Sequence, residues 1–136
     1  MCWWMKKKEV QSPKGIVDSK QVTSLISGGL VAIRGIPDQV CLTTVADTNS
    51  MLPVIDNGDI IILTNGFNYN ELAVGDIVVY EVGSSGSIIH RIENIQESEV
   101  GRVYTCKGDN NSSKDSYQIL DEHIAWLLVG VVYCKK

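Results

Sequence analysis

Serine, histidine and aspartate can together build a nucleophilic hydrolase, and this chain offers few ways of assembling them. It has only two histidines, His90 and His123. Ser50 lies in the stretch Asp47-Thr48-Asn49-Ser50-Met51-Leu52-Pro53. Read alone, this is a turn whose Asp and Asn satisfy backbone groups, stopped by Pro53. Its second reading is a rigid loop that exposes one hydroxyl. His90 falls in Ser87 to Ile95, where side chains alternate between faces. Ile88, His90 and Ile92 share one face, and Ile89, Arg91 and Glu93 the other. By that pattern alone His90 reads first as a buried, hydrogen-bonded histidine and second as a base. His123 follows Asp121-Glu122 and reads as a surface residue. The polar stretch KGDNNSSKDS, Lys107 to Ser116, reads as a loop. It carries two carboxylates able to orient a histidine, Asp109 and Asp115.

These residues need elements to hold them. Met1 to Gly15 is mixed in character and reads as a loose arm. Asp18 or Ser19 is placed to cap a short helix over Lys20 to Ser27, ended by Gly28-Gly29. From there the signals are β: Leu30 to Ile33, Val40 to Val45, Asp59 to Thr64, Asp76 to Val82, Ser87 to Ile95, Arg102 to Cys106 and Ile124 to Tyr133. Gly83 to Gly86 predicts a hairpin turn between the fourth and fifth of these. Asn57-Gly58-Asp59-Ile60 and Val74-Gly75-Asp76-Ile77 look alike, but Gly-Asp before a strand is common turn chemistry. Short strands between turns predict a mostly β fold, a twisted antiparallel sheet or open barrel with at most a short N-terminal helix. The expected organisation is an arm over 1–15 and one domain over 16–136.

Composition narrows the function. The 136 residues, 44% hydrophobic and 21% charged, suit one globular core. A formal net charge of -4 argues against a nucleic-acid partner, and Lys6-Lys7-Lys8 is too short a run to reverse that. The uncharged run from Gln21 to Ile33 falls short of the roughly 20 residues a bilayer requires, so no membrane span is expected in this chain. MCWWMKKKEV lacks an apolar segment after its lysines and does not read as a signal peptide. The chain therefore reads as soluble and cytoplasmic. Cys2, Cys41, Cys106 and Cys134 are scattered without a C-x-x-C pair, so reduced thiols and no metal site are expected.

Taken in order, Ser50-Met51-Leu52-Pro53, Gly58-Asp59, Gly75-Asp76-Ile77-Val78-Val79-Tyr80, His90-Arg91-Ile92 and Lys107-Gly108-Asp109-Asn110-Asn111 with Asp115 resemble the signal peptidase I family. The resemblance covers roughly Val45 to Tyr117. The His-Arg-Ile pattern resembles the histidine-using, endoplasmic-reticulum and archaeal-type branch; bacterial-type enzymes and LexA-type repressors use lysine. The resemblance implies Ser50 as nucleophile, His90 as base and Asp115 as its orienter, with Asp109 in reserve. It also implies an oxyanion hole from the Ser50 N–H and the Thr48 hydroxyl. Lys107 adjoins the last motif and Lys114 lies in the loop; neither is on the strand that presents His90. No cofactor is implied.

The expected function is a serine endopeptidase that cuts a protein or peptide next to small residues, with the substrate bound as an extended strand. Two alternatives are a self-processing regulator of the LexA or UmuD type, cut near Ser27-Gly28-Gly29 or Ala32, and an inactive binding module on the same fold.

Overall fold

The computed structural model describes residues 10–24, 29 and 31–136. Its core is a seven-stranded, wholly antiparallel sheet that does not close into a barrel. The strands are β3 (Val40–Thr44), β4 (Ile60–Thr64), β5 (Ile77–Glu81), β6 (Ser87–Ser98), β7 (Gly101–Lys107), β8 (Ile119–Leu120) and β9 (Ile124–Val132), in the spatial order β3-β4-β9-β5-β6-β7-β8. A separate two-stranded sheet joins β1 (Val22–Ser24) to β2 (Val31–Ile33). Among the described residues no helix is long and apolar enough to cross a membrane.

The expected mostly β architecture is the one observed. The short helix is corrected. Only one 3-10 turn forms, Ser19–Gln21, where Asp18 accepts the Lys20 N–H at 2.9 Å. The chain then becomes β1, with Val22 opposite Ile33 and Thr23 opposite Ala32. Branched Val22 and Thr23 favour that extended pairing over a helix. The rest of the expected helix, Leu25 to Ser27, lies outside the described residues, as do Met1 to Glu9 of the expected arm.

Strand β5 explains the two-layered core. Val78 and Tyr80 point into one cluster with Ile92, Tyr104, Cys106 and Leu127; Ile77 and Val79 point into another with Met51, Ile55, Ile61 and Leu63. A strand buried on both faces reads as a continuous apolar run, as Ile77-Val78-Val79-Tyr80 does. The β5–β6 hairpin sets His90 opposite Val78 and Arg91 opposite Ile77. These two neighbours therefore serve opposite sides of the sheet.

The two Gly-Asp sequences build the same turn twice. Asp59 N–H donates to Asp56 O and Asp76 N–H to Ala73 O, each at 3.1 Å. In return Asp59 accepts the Asp56 N–H at 3.0 Å and Asp76 accepts the Ala73 N–H at 2.9 Å. Gly58 and Gly75 supply the positive φ that each turn needs, 89° and 103°. Asp59 also receives the Cys134 N–H at 3.1 Å and the Lys136 ammonium, which ties the end of the chain to the turn.

The Lys136 ammonium, followed by backbone donors, holds the Asp59 carboxyl below its ordinary value of 3.8 against the opposing effect of burial. A depressed folded-state value means the carboxylate stabilises the fold above pH 3.8, and that this is lost as pH falls through the lower folded value. Asp59→Asn is therefore expected to lower the thermal midpoint at neutral pH. Its deficit relative to wild type should shrink as pH is lowered below about 4, measured by thermal melts across pH.

Candidate active site

Ser50 sits on a loop fastened from both sides. Asn49 adopts φ 60°, a left-handed conformation that Asn tolerates, and turns the chain into the bend that follows. Val54 and Ile55 N–H groups close that bend on Met51 O at 2.9 and 3.0 Å. Met51 and Ile55 are 3% and 1% exposed and anchor the loop in the core. Burying each side chain contributes about 2 kcal/mol. On the other side, the Asn110 N–H donates to Ser50 O at 2.9 Å and Asn110 Nδ2 to Asn49 O at 3.1 Å. Ser50 Oγ pairs with Thr48 Oγ1 at 3.2 Å. Among the described residues, no hydrogen bond joins Ser50 Oγ to His90, and the Ser50 N–H has no acceptor.

His90, 8% exposed, donates Nδ1–H to Asp115 Oδ2 at 2.6 Å. A carboxylate acceptor fixes the tautomer: the proton resides on Nδ1, and Nε2 keeps its lone pair. Asp115 is itself held by its own N–H, which donates to Cys106 O at 2.8 Å. The same Asp115 oxygen accepts the Tyr80 hydroxyl at 2.5 Å. Burial, then the bond to Asp115, raises the Tyr80 phenol above its ordinary value of 10.0, so Tyr80 stays a donor. Burial likewise pushes the Cys106 thiol up to about 12, which leaves it an inert core group.

The other carboxylate goes elsewhere. Asp109 takes a bidentate bond from Arg91, Nε to Oδ1 at 2.9 Å and Nη2 to Oδ2 at 2.8 Å. As the reserve partner for a histidine Asp109 is thereby corrected: the guanidinium fork occupies both of its oxygens. Arg91 Nη1 also donates to Gly75 O at 2.9 Å and Gln11 O at 3.0 Å. This one side chain ties the Lys107–Ser116 loop to the Gly75 turn and to the described part of the N-terminal segment. His123 closes its own turn, with Nδ1 accepting the Leu120 N–H at 2.9 Å, and takes no part in the site. Lys107 Nζ donates to Gly108 O at 3.2 Å, and Lys114 is exposed.

Thr48, Ser50, His90 and Asp115 all line one cleft of about 690 Å³, whose apolar wall includes Val79 and Trp126. Sequence reading passed over Tyr80 and Gly108. Tyr80 sits two residues along β5 from Val78, the partner of His90, so strand alternation places it on the same face. Gly108 lies where the two halves of the site meet. A Cβ there would fall 2.7 Å from Ser50 O, 2.7 Å from Asn111 Nδ2 and 2.9 Å from His90 Nε2. The loop carrying Asn110 can approach Ser50 only with glycine at that position. Gly108→Ala is expected to part these groups and to lower stability by about 1–3 kcal/mol, read as a fall in the thermal midpoint.

Comparison with known proteins gives this arrangement a context. Over 93 residues the chain is 33% identical to signal peptidase complex catalytic subunit SEC11C of Homo sapiens, covering 67% of this chain and 46% of that protein. The chain is a relative of the signal peptidases. To signal peptidase complex catalytic subunit SEC11 of Lachancea thermotolerans it is 42% identical over 72 residues, 50% of this chain and 41% of the relative. To signal peptidase I W of Bacillus subtilis it is 27% identical over 103 residues, 76% and 52% respectively. This signal peptidase relative thus spans about half the length of the curated relatives it matches. No family model matches it. No solved structure matches it significantly.

Proposed function

We propose that this chain is a serine endopeptidase in which Ser50 is the nucleophile, His90 the general base and Asp115 the residue that orients His90. The reading is carried by one observation: Ser50, His90 and Asp115 line a single cleft, with the His90–Asp115 bond at 2.6 Å leaving Nε2 as the acceptor. A hydroxyl attacks a peptide carbonyl only when a base removes its proton. Ser50 Oγ would leave its Thr48 contact, give its proton to Nε2 and bond to the carbonyl carbon. The negative charge on the carbonyl oxygen would be met by the Ser50 N–H and the Thr48 hydroxyl. The imidazolium would then protonate the leaving amine. Water, deprotonated by the same nitrogen, would release the acyl group and regenerate Ser50.

The proposed unit is residues 16–136, and the proposed substrate is a protein or peptide bound in extended form with small side chains beside the cut. The resemblance to signal peptidases and the largely apolar cleft support this substrate class. Purified protein incubated with a mixed peptide pool, its products sequenced by mass spectrometry, tests the reading. Cleavage after small residues that disappears in Ser50→Ala is expected. A product pattern identical in the Ser50→Ala protein would exclude Ser50 as nucleophile.

A further inference from the structure

Asp115 Oδ2 serves two donors at once: His90 Nδ1 at 2.6 Å and the Tyr80 hydroxyl at 2.5 Å. Tyr80 is 0% exposed, and its ring is fixed by packing against Tyr117 at 6.4 Å and within the core cluster of Val78, Ile92 and Tyr104. A phenol held this firmly does two things to a carboxylate. It stops the carboxylate from rotating, and it takes a share of the negative charge on the bonded oxygen.

We propose that Tyr80 is a positioning residue of the site: it locks Asp115 in place and, by sharing one oxygen with His90, limits how tightly Asp115 holds a proton on the imidazole. The inference rests on the proposed roles of His90 and Asp115, although its test does not require cleavage. A base beside an unshared carboxylate is easily protonated and then unable to accept a proton from serine. With Tyr80 drawing on the same oxygen, the imidazolium gains less from Asp115. The other titratable groups near His90 do not supply this effect. Arg91 is its neighbour on β6 but faces the opposite side and is neutralised by Asp109. Cys106 on β7 is held as a neutral thiol by burial, with Asp115 and Glu93 acting in the same direction. Tyr117 lines the cleft, its hydroxyl bonded to Ser85 at 3.0 Å.

Two histidines in the chain make the test direct, because each can be followed by its ring resonances during a pH titration. Tyr80→Phe keeps the ring and deletes only the hydroxyl. The His90 midpoint is expected to rise by about 0.5 to 1 pH unit, with His123 unmoved. The acid limb of any cleavage profile should rise with it. An unchanged or lowered His90 midpoint in folded Tyr80→Phe overturns the proposal. Should that variant not fold, the wild-type protein serves: the Tyr80 ring carbon resonances should titrate at the His90 midpoint, and their failure to do so overturns the proposal equally. A protein that shows these shifts but cuts no peptide would refute the peptidase reading and leave the role of Tyr80 standing.

Discussion

Ser50→Ala and His90→Ala are each expected to lower kcat by about 10⁶-fold, and the double variant no further. The equality follows from their acting as one unit: a serine without its base and a base without its serine are equally idle. Asp115→Asn should cost less, about 10⁴-fold. Its amide would present an N–H to His90 Nδ1, drive the imidazole proton to Nε2 and leave no lone pair facing Ser50. The same nitrogen would replace Oδ2 opposite the Tyr80 hydroxyl, which would then accept an N–H from it instead of donating. The measurement is single-turnover cleavage of one peptide by wild type and these four variants, with circular dichroism and melting curves as fold controls. A Ser50→Ala protein retaining wild-type turnover would end the serine mechanism. A wild-type rate in Asp115→Asn would instead remove only the orienting role. The Ser50 hydroxyl bonds Thr48 at 3.2 Å and not His90. Thr48→Val should therefore be examined beside these variants, since it removes both a competing partner and the proposed second oxyanion donor.

Much of the fold is legible in the sequence. Strands β3 to β7 and β9 follow directly from branched apolar runs separated by Gly, Asn and Asp, because those residue types fit a pleated sheet and its turns. The order of motifs drew attention to Ser50, His90 and Asp115, which are isolated in sequence. The choice between Asp109 and Asp115 was legible only through the family resemblance, which put Asp115 first, since both lie in one polar loop. It is decided by Arg91, whose guanidinium comes up on the opposite face of β6 and takes Asp109. Tyr80 was hidden for a related reason. A tyrosine in an apolar run reads as core, and its hydroxyl matters only because a loop 35 residues later in the chain brings a carboxylate to it. Gly108 was hidden because a glycine's need for close approach depends on what approaches, here Ser50 O and His90 Nε2. The N-terminal helix failed because local periodicity over Lys20 to Ser27 is short, and pairing of Val22–Ser24 with Val31–Ile33 outweighs it.

Arg91→Ala is expected to be the most destabilising single change outside the apolar core. The Arg91 and Asp109 side chains are only 8% and 7% exposed. Deleting the arginine leaves a buried carboxylate without its partner, which costs about 3–5 kcal/mol. It also strips the donors from Gly75 O and Gln11 O. Arg91→Lys should recover little, because an ammonium cannot form the paired bonds to Asp109 while reaching two carbonyls. The combination Arg91→Ala with Asp109→Ala should be more stable than Arg91→Ala alone, since no uncompensated charge remains. Urea unfolding of these three variants reads the effect directly. If Arg91→Ala unfolds at the wild-type urea midpoint, the buried pair contributes nothing and another contact holds the loop. Catalysis should not follow the same order. Asp109 is next to Asn110, which bonds Ser50 O and Asn49 O. The double variant, although more stable, still releases the loop bonded to Ser50 O and Asn49 O, and turnover should stay low in all three proteins. Stability regained without activity would place the function of the Arg91–Asp109 pair in holding the Lys107–Ser116 loop against Ser50, distinct from any contribution to folding.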